Sequence, residues 1–369
     1  MKVMIAMSGG VDSSVAAALL VEAGHEVVGV TMRLWGGESD TGCCSVSDVD
    51  DARRVAQQLG IDHLVFNFTE DFNQHVVAPY VQAHTVGLTP NPCIECNRHV
   101  KFARLSERAQ LLGFDAVATG HHARVGVSPD GRLELQRGAD RDKDQSYVVH
   151  MIDQAELQRT MFPVGGMTKP DVRAHATRIG LRTASKPDSQ DVCFITSTGG
   201  RNTFLGSRIP FRTAKVVDAV GTELGIAPAV EMVTLGQRRG LGLPGGGPKR
   251  FVVDIDVAAA VVTVGDEADL LTDGHVVSNF TWVHGPDDVA QYPFVLVQCS
   301  AHGSPQPATV HVDSTGGTAQ VRWQQQQRRI APGQSVVLYD PSDRFVIGGG
   351  IAGAALSMPT NLRASQLAS

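Results

Sequence analysis

Two short stretches of this 369-residue chain concentrate side chains that can do covalent chemistry. In "TPNPCIECNRHVKF" (89–102), two prolines flank a Cys-x-x-Cys pair, Cys93 and Cys96, and the basic residues Arg98, Lys101, Arg104 and Arg108 follow. In "SKPDSQDVCFI" (185–195), Cys193 stands close behind Asp188 and Asp191. Thiolates are nucleophiles and metal ligands, so these cysteines read as catalytic or metal-binding. A third stretch, "IAMSGGVDSSVAAALL" (5–20), carries no thiol but has the build of a phosphate cradle: an apolar run, a Ser-Gly-Gly turn, then an Ala/Leu-rich helix. Gly9 and Gly10 let backbone N–H groups approach phosphate oxygens at a helix N-terminus, with Ser8, Ser13 and Ser14 as hydroxyl donors. The lysine of G-x-x-x-x-G-K-[ST] is absent; Val11 and Asp12 stand in the turn instead. A carboxylate there suits Mg²⁺ on a departing pyrophosphate better than transfer of a terminal phosphoryl group.

The elements that must hold these groups follow from periodicity. Apolar runs at 2–7, 26–32, 63–68 and 114–120 read as strands, and helical patterns fill 11–23, 47–60, 71–83 and 98–112. Strand–helix alternation with continuously apolar strands predicts a parallel, doubly wound sheet, with the ligand at the carboxyl ends of the strands. "ARVGVSPDGRLELQRG" predicts a hairpin around Pro-Asp-Gly. Residues 143–182 read as helical, most clearly 168–180, with a Thr cap, an early Pro and a Gly stop. From about Arg208 the chain turns to short β-branched runs broken by Gly, Pro and Asp, which predicts two small β modules; "QQQQRR" (324–329) reads as a loop. The expected units are 1–205, an α/β nucleotide-binding and catalytic domain; 206–272, a small β-rich domain; and 273–369, a β-barrel.

The composition is that of a globular chain: 42% hydrophobic and 19% charged, with a formal net charge of −6. Bulk charge does not announce a nucleic acid, so any basic surface is local, as in Arg238, Arg239, Lys249 and Arg250. No apolar run approaches the ~20 residues of a membrane span, and the N-terminus reads as a strand rather than a signal peptide, so a cytoplasmic location is expected. Six cysteines in such a chain do not predict structural disulfides; Cys43, Cys44 and Cys299 read as fillers or exposed thiols.

"SGGVDSS" after an N-terminal strand resembles the pyrophosphate loop of the N-type ATP pyrophosphatases, which cleave ATP between the α and β phosphates. The cysteines suit replacement of oxygen by sulfur rather than amide formation. Together with "ATGHHARV", "DKDQSY", "LGQRRGLG", "PGQSVVLYD" and "GGGIA", the three stretches are similar to those of the tRNA-specific 2-thiouridylases across the whole chain. The resemblance implies ATP and Mg²⁺ as cofactors, tRNA as substrate, and a sulfur donor (a cysteine desulfurase or a sulfur-relay protein) as partner. It implies that Cys96 is the nucleophile and that Cys193 carries a persulfide. Ala6, Met7, Ser8, Gly9, Gly10, Val11, Asp12, Ser13, Met32 and Gly120 match its ATP-binding positions. His121, Lys143, Asp144, Gln145 and Gln334 match its tRNA-contacting positions. Arg98 and the start of the 98–112 helix are expected to favour the Cys96 thiolate, whose reference pKa is about 8.5.

Two departures bear on this reading. Cys93 stands where some members have Asp, a candidate catalytic group, and Ala301-His302 stands where many have Arg-Tyr. Other readings stay open on the residues alone. Cys93 and Cys96 read as half a zinc knuckle, although the adjacent Cys43 and Cys44 complete it poorly. With Cys193 they read as three ligands of an iron–sulfur cluster, its fourth iron site open to a sulfide. The glycine loop by itself also fits an amidating ligase or a non-catalytic RNA-binding protein.

Overall fold

The structure is a computed structural model and describes residues 1–35, 46–188, 192–196, 199–245 and 247–356. Five parallel strands, β1 (Lys2–Ala6), β2 (Glu26–Arg33), β3 (Asp62–Asn67), β4 (Ala116–Ala118) and β7 (Thr160–Met161), form a sheet in the order β3-β2-β1-β4-β7. Side chains of a strand alternate between faces, and β1 uses both. Val3 and Ile5 enter one core with α1 (Val11–Glu22), α2 (Val46–Leu59) and a later helix, Lys169–Arg178. Met4 and Ala6 enter another with Phe72, Val100 and Leu105, from helical runs α3 (69–85) and α4 (92–111). The sheet is therefore covered on both sides, as its apolar strands predict. Chain order reverses between β1 and β4, so the crevice at their carboxyl ends is the natural ligand site.

Both runs contain wide π-helical turns, Asn73–Val77 in α3 and Cys96–Arg104 in α4. α4 starts at Pro92, capped by the Asn91 side chain accepting from Cys93 N at 3.0 Å, six residues before the predicted start. Cys96 therefore sits in the second turn and not ahead of a helix. The helical reading of 143–182 also needs correction. The segment holds a 3₁₀ turn (Ser146–Val149), a one-turn helix α5 (Gln154–Leu157), β7, and α6 (Lys169–Arg178). Its apolar residues serve different cores, Tyr147 and Ile152 one and Val164 another, which no single helix face could do. α6 matches its sequence signals: Thr168 and Asp171 form a capping box, with Pro170 beside it.

Two short helices, α7 (Cys193–Thr196) and α8 (Arg201–Gly206), lead to a four-stranded sheet of β8 (Ala214–Val217), β9 (Glu223–Ala227), β10 (Phe251–Asp256) and β11 (Val261–Gly265). β12 (Leu271–Trp282), β13 (Val295–Gln298), β14 (Gln306–Val312), β15 (Thr318–Arg328), β16 (Ser335–Tyr339) and β17 (Phe345–Leu356) follow. They form a six-stranded antiparallel barrel, closed because β12 pairs with both β15 and β17. "QQQQRR" is not a loop. β15 continues through Arg328, and after a bulge Gln327 and Arg328 pair with Thr272 and Leu271. Gln324, Gln325 and Gln326 fall within that bulge and are exposed.

The barrel is joined to the first sheet's unit by more than the chain. β5 (Ala123–Val127) and β6 (Leu133–Arg137) form the hairpin predicted around Pro-Asp-Gly, and β6 pairs with β17 through Gln136↔Phe345 and Leu135↔Val346. The buried Arg137 binds Asp144 (2.7 Å) and Asp343 (2.6 Å) and lies 3.6 Å over the Tyr339 ring. Ile94 and Phe102 of α4 share a core with Tyr147, Ile152, Val337 and Tyr339. The helix carrying Cys93 and Cys96 is thus wedged between the parallel sheet and the barrel. Among the described residues no helix is long and apolar enough to cross a membrane.

Candidate active site

The glycine turn lies at the carboxyl end of β1. Gly9 has φ +72°, and a Cβ there would meet Asp48 O of α2 at 2.4 Å; only glycine fits this turn. Gly120, just beyond β4, packs so closely on the start of α1 that a Cβ would come within 2.6 Å of Ser13 N. The two glycines let the loop, α2 and the β4 end close on one another. Ser13 Oγ accepts from Ser8 N at 3.2 Å and lies 3.3 Å from Ser8 Oγ, which fixes the turn. Ser14 does not serve as a phosphate donor: it is fully buried and its hydroxyl bonds to Gly10 O at 2.8 Å. Ala6 and Met7 end the buried strand, Val11 anchors the helix in the core, and Met32 is buried at the end of β2.

A lysine reaches the turn from elsewhere in the chain. Lys169 Nζ donates to both Asp12 carboxylate oxygens at 2.7 Å and reaches Asp188 Oδ1 at 2.8 Å. His122 Nε2 lies 3.1 Å from Asp12 Oδ1. Burial favours the neutral Asp12 carboxyl, but the hydrogen bonds and charges of His122 and Lys169 outweigh it and hold the pKa below the usual carboxylate range. Asp188 is a hub: besides Lys169 it receives Arg173 at 2.8 Å and Lys143 at 3.2 Å. Two residues earlier, Lys186 is clasped by Asp48 (2.7 Å) and Asp51 (2.8 Å) of α2. The segment leading to Cys193 is therefore tied by ion pairs to the glycine loop and to α2. Lys169 and Asp188 escaped the sequence reading as a pair. Lys169 did leave a signal: a lysine in the first turn, next to the N-cap, opposes the helix dipole unless an anion compensates it.

The cysteine motifs meet on the other face of the sheet. Cys96 is buried in the core that includes Tyr80, Phe194 and Phe204, and Cys193 packs against the same cluster. Phe194 stacks edge-on against Phe72 and Tyr80, with centroids 5.7 and 5.6 Å away. Cys93 is exposed one turn before Cys96. Arg98 is directed to the barrel, donating to Thr281 Oγ1 at 3.0 Å, and its Nε lies 3.8 Å from Glu95. Cys299 behaves as a filler, with burial pushing its thiol up to about 12. Cys43, Cys44, Asp191 and most of loop 36–46 lie outside the described residues. Among the described residues no three Cys, His, Asp or Glu side chains are grouped to hold a metal, so the zinc and cluster readings find no assembled donor set there.

The remaining candidates divide by environment. His121 is buried, 2.7 Å from Thr119 Oγ1, and burial, then the Lys101 and His122 charges, hold its pKa well below normal. The Asp144 carboxylate is nearly inaccessible and is occupied by Arg137, Gly138 N and both donors of Ser146. Gln145 Oε1 accepts from His122 N at 2.9 Å. Lys143 is solvent-exposed but for its Asp188 contact. Gln334, on the barrel, donates to Thr89 O, pinning the loop that precedes Cys93. Arg238, Arg239 and Lys249 are exposed.

Comparison with known proteins places this arrangement. Residues 1–197 match the profile described as a tRNA methyl transferase HUP domain. Residues 202–266 match the corresponding PRC-barrel domain, and 272–352 an aminomethyltransferase β-barrel domain. The chain is 46% identical to the tRNA-specific 2-thiouridylase MnmA of Chloroflexus aurantiacus over 94% of its own length and 97% of that protein's. It is 48% identical to that of Mycobacteroides abscessus (92% and 96% covered) and 44% to that of Herpetosiphon aurantiacus (95% and 97%). The chain belongs to the tRNA-specific 2-thiouridylase family. As a member of the 2-thiouridylase family it carries the glycine loop, both cysteine motifs and a closed barrel in one fold, with the loop and Cys193 segment joined through Lys169 and Asp188.

Proposed function

We propose that this protein replaces the C2 oxygen of the wobble uridine of tRNA with sulfur, using ATP. The observation that carries the reading is the joining of two chemistries: the ion-paired chain Asp12–Lys169–Asp188 runs from the glycine loop to the segment of Cys193, whose side chain shares an apolar cluster with Cys96. Mg-ATP enters as a substrate, with residues 6–13, Met32 and Gly120 around it. The uracil C2 oxygen attacks the α-phosphorus, an O–P bond forms, and pyrophosphate leaves towards the loop and Lys169. A conjugated lactam oxygen is a poor leaving group, and as AMP it leaves readily.

Sulfur then follows the cysteines. A desulfurase or sulfur-relay protein loads Cys193 as a persulfide. The Cys96 thiolate attacks the inner sulfur of that persulfide, forming a Cys96–Cys193 disulfide and releasing hydrosulfide, which attacks C2 and displaces AMP. A dithiol reductant restores both thiols in each cycle. No carboxylate at position 93 can act as acid or base, so proton transfer falls to other groups of the site. Among the tRNA-facing candidates, Lys143, Gln145, Gln334 and the exposed basic residues are best placed, whereas the enclosed Asp144 carboxylate and the buried His121 support the walls. A tRNA substrate and a thiol-dependent relay fit a cytoplasmic setting.

The test is transfer of radiolabelled sulfur from a cysteine desulfurase to unmodified tRNA, with Cys96→Ser and Cys193→Ser in parallel. Label that requires ATP and both cysteines is expected. Label that survives loss of Cys193 overturns the persulfide role. Label that requires Cys93 and iron under anaerobic conditions favours a cluster route, and AMP formed on a non-RNA acceptor favours an amidating enzyme.

A further inference from the structure

Between the two cysteine motifs lies a cleft of about 850 Å³, apart from the glycine loop. One wall is Asn91 and Pro92, just before Cys93; another is Val192 and Ile195, either side of Cys193; Gln334 of the barrel closes it. Arg201, in the first turn of α8, also lines it. Its Nε and Nη2 are buried and, among the described residues, find no hydrogen-bond acceptor. Beside the guanidinium stand Tyr80, which it hydrogen-bonds, and His84; both are kept uncharged chiefly by burial, so neither balances its charge. The two unanswered groups, Nε and Nη2, lie on one edge of the guanidinium fork, which suits an anion presenting two oxygens side by side, as the non-bridging oxygens of a tetrahedral phosphodiester do.

We propose that Arg201 and this cleft form a subsite for a single phosphodiester of the RNA, the one next to the uridine being modified. The inference rests on the thiolation reading for the identity of the substrate. Its physical content is that a buried fork of donors holds the backbone between Cys96 and Cys193, so that the base beside it faces the sulfur relay. Phosphate contacts of this kind set register without reading sequence. The cleft is separate from the loop that takes ATP, so this anion is not one of the ATP phosphates.

The test uses full-length tRNA assembled by ligation, with a neutral methylphosphonate linkage placed either 5′ or 3′ of the wobble uridine. Binding is measured without ATP. For the wild type, one of the two neutral linkages is expected to weaken binding about tenfold. Arg201→Gln is expected to weaken binding of natural tRNA about as much and to be indifferent to that linkage; Arg201→Lys, retaining a point charge, falls between. ATP affinity is expected to be unchanged. Equal binding of both neutral tRNAs by the wild type overturns the proposal without recourse to any variant. So does Arg201→Gln that keeps full sensitivity to the linkage, or that loses ATP affinity. If the linkage effect holds but wild-type protein transfers no sulfur to natural tRNA, the subsite stands and the thiolation reading fails.

Discussion

At the scale of single residues, the most informative side chain is Lys169. Its N1 position in a capped helix is unfavourable for a cation, and the two oxygens of Asp12 at 2.7 Å supply the compensation. On the proposed reading, this cation from α6 takes the place of the loop lysine of other ATPases, where negative charge gathers as pyrophosphate leaves. Lys169→Met, similar in length and uncharged, is expected to lower ATP-dependent AMP formation by roughly 100-fold while leaving tRNA affinity within about threefold. Single-turnover kinetics and filter binding check this, and turnover within tenfold of wild type would make Lys169 a structural residue only. Asp12 keeps its charge below the ordinary carboxylate range, so its ion pair contributes above that range and is lost only as pH falls through its lowered pKa. The acid limb of the rate profile is therefore not expected to report Asp12.

At the scale of elements, two contacts decide whether the site assembles. β4 brings Gly120 against the first turn of α1, where a methyl group meets Ser13 N at 2.6 Å. Gly120→Ala is expected to push the loop out of register and weaken ATP binding at least tenfold, measured by calorimetry, with the thermal midpoint lowered only modestly. The hairpin β5–β6 is fastened to the barrel by Arg137, whose side chain and that of Asp144 are nearly inaccessible. Arg137→Ala strands a buried carboxylate and is expected to cost about 3–5 kcal/mol in urea unfolding. Asp144, a tRNA-contact candidate by the family resemblance, is thus occupied within the fold, while the Lys143 side chain beside it is exposed. The neighbouring types Lys-Asp-Gln carried no sign of which would turn inward, because that depends on Arg137 arriving from another element.

At the scale of the whole molecule, the barrel acts as the platform for the cysteine helix. His150 sits at this junction, fully buried, with Nδ1 2.8 Å from Tyr147 O and the β17 backbone against its ring at Gly349. His275 is buried in the barrel, accepting from Ile330 N at 3.0 Å. Burial is the main cause that lowers each to about 4. Their unfolded values are near 6.5, so between pH 6.5 and 4 the unfolded chain binds more protons than the folded one. Stability is then lost as pH falls through that window, by about 2 kcal/mol for each histidine at pH 5. The urea midpoint is expected to drop between pH 7.5 and pH 5. His150→Asn, which keeps a donor for Tyr147 O, is expected to flatten the slope; an unchanged slope would show that His150 does not govern it.

The sequence by itself determined the local grammar of this protein. Continuous apolar strands and helix caps specified the doubly wound sheet, Pro-Asp-Gly specified a hairpin, and β-branched runs specified the later β modules. These signals are short-range, set by backbone sterics and burial periodicity, and so are written in neighbouring residues. Only the tertiary structure decided which distant groups meet. It brought Lys169 to Asp12, drew Asp188 into an ion-paired hub, extended the glutamine run as strand β15, and turned Arg201 into a cleft between the cysteine motifs. Each of these joins groups on different elements of the fold, well beyond the reach of a local pattern. No local pattern encodes such a meeting, because its free energy arises only when both partners are already in place.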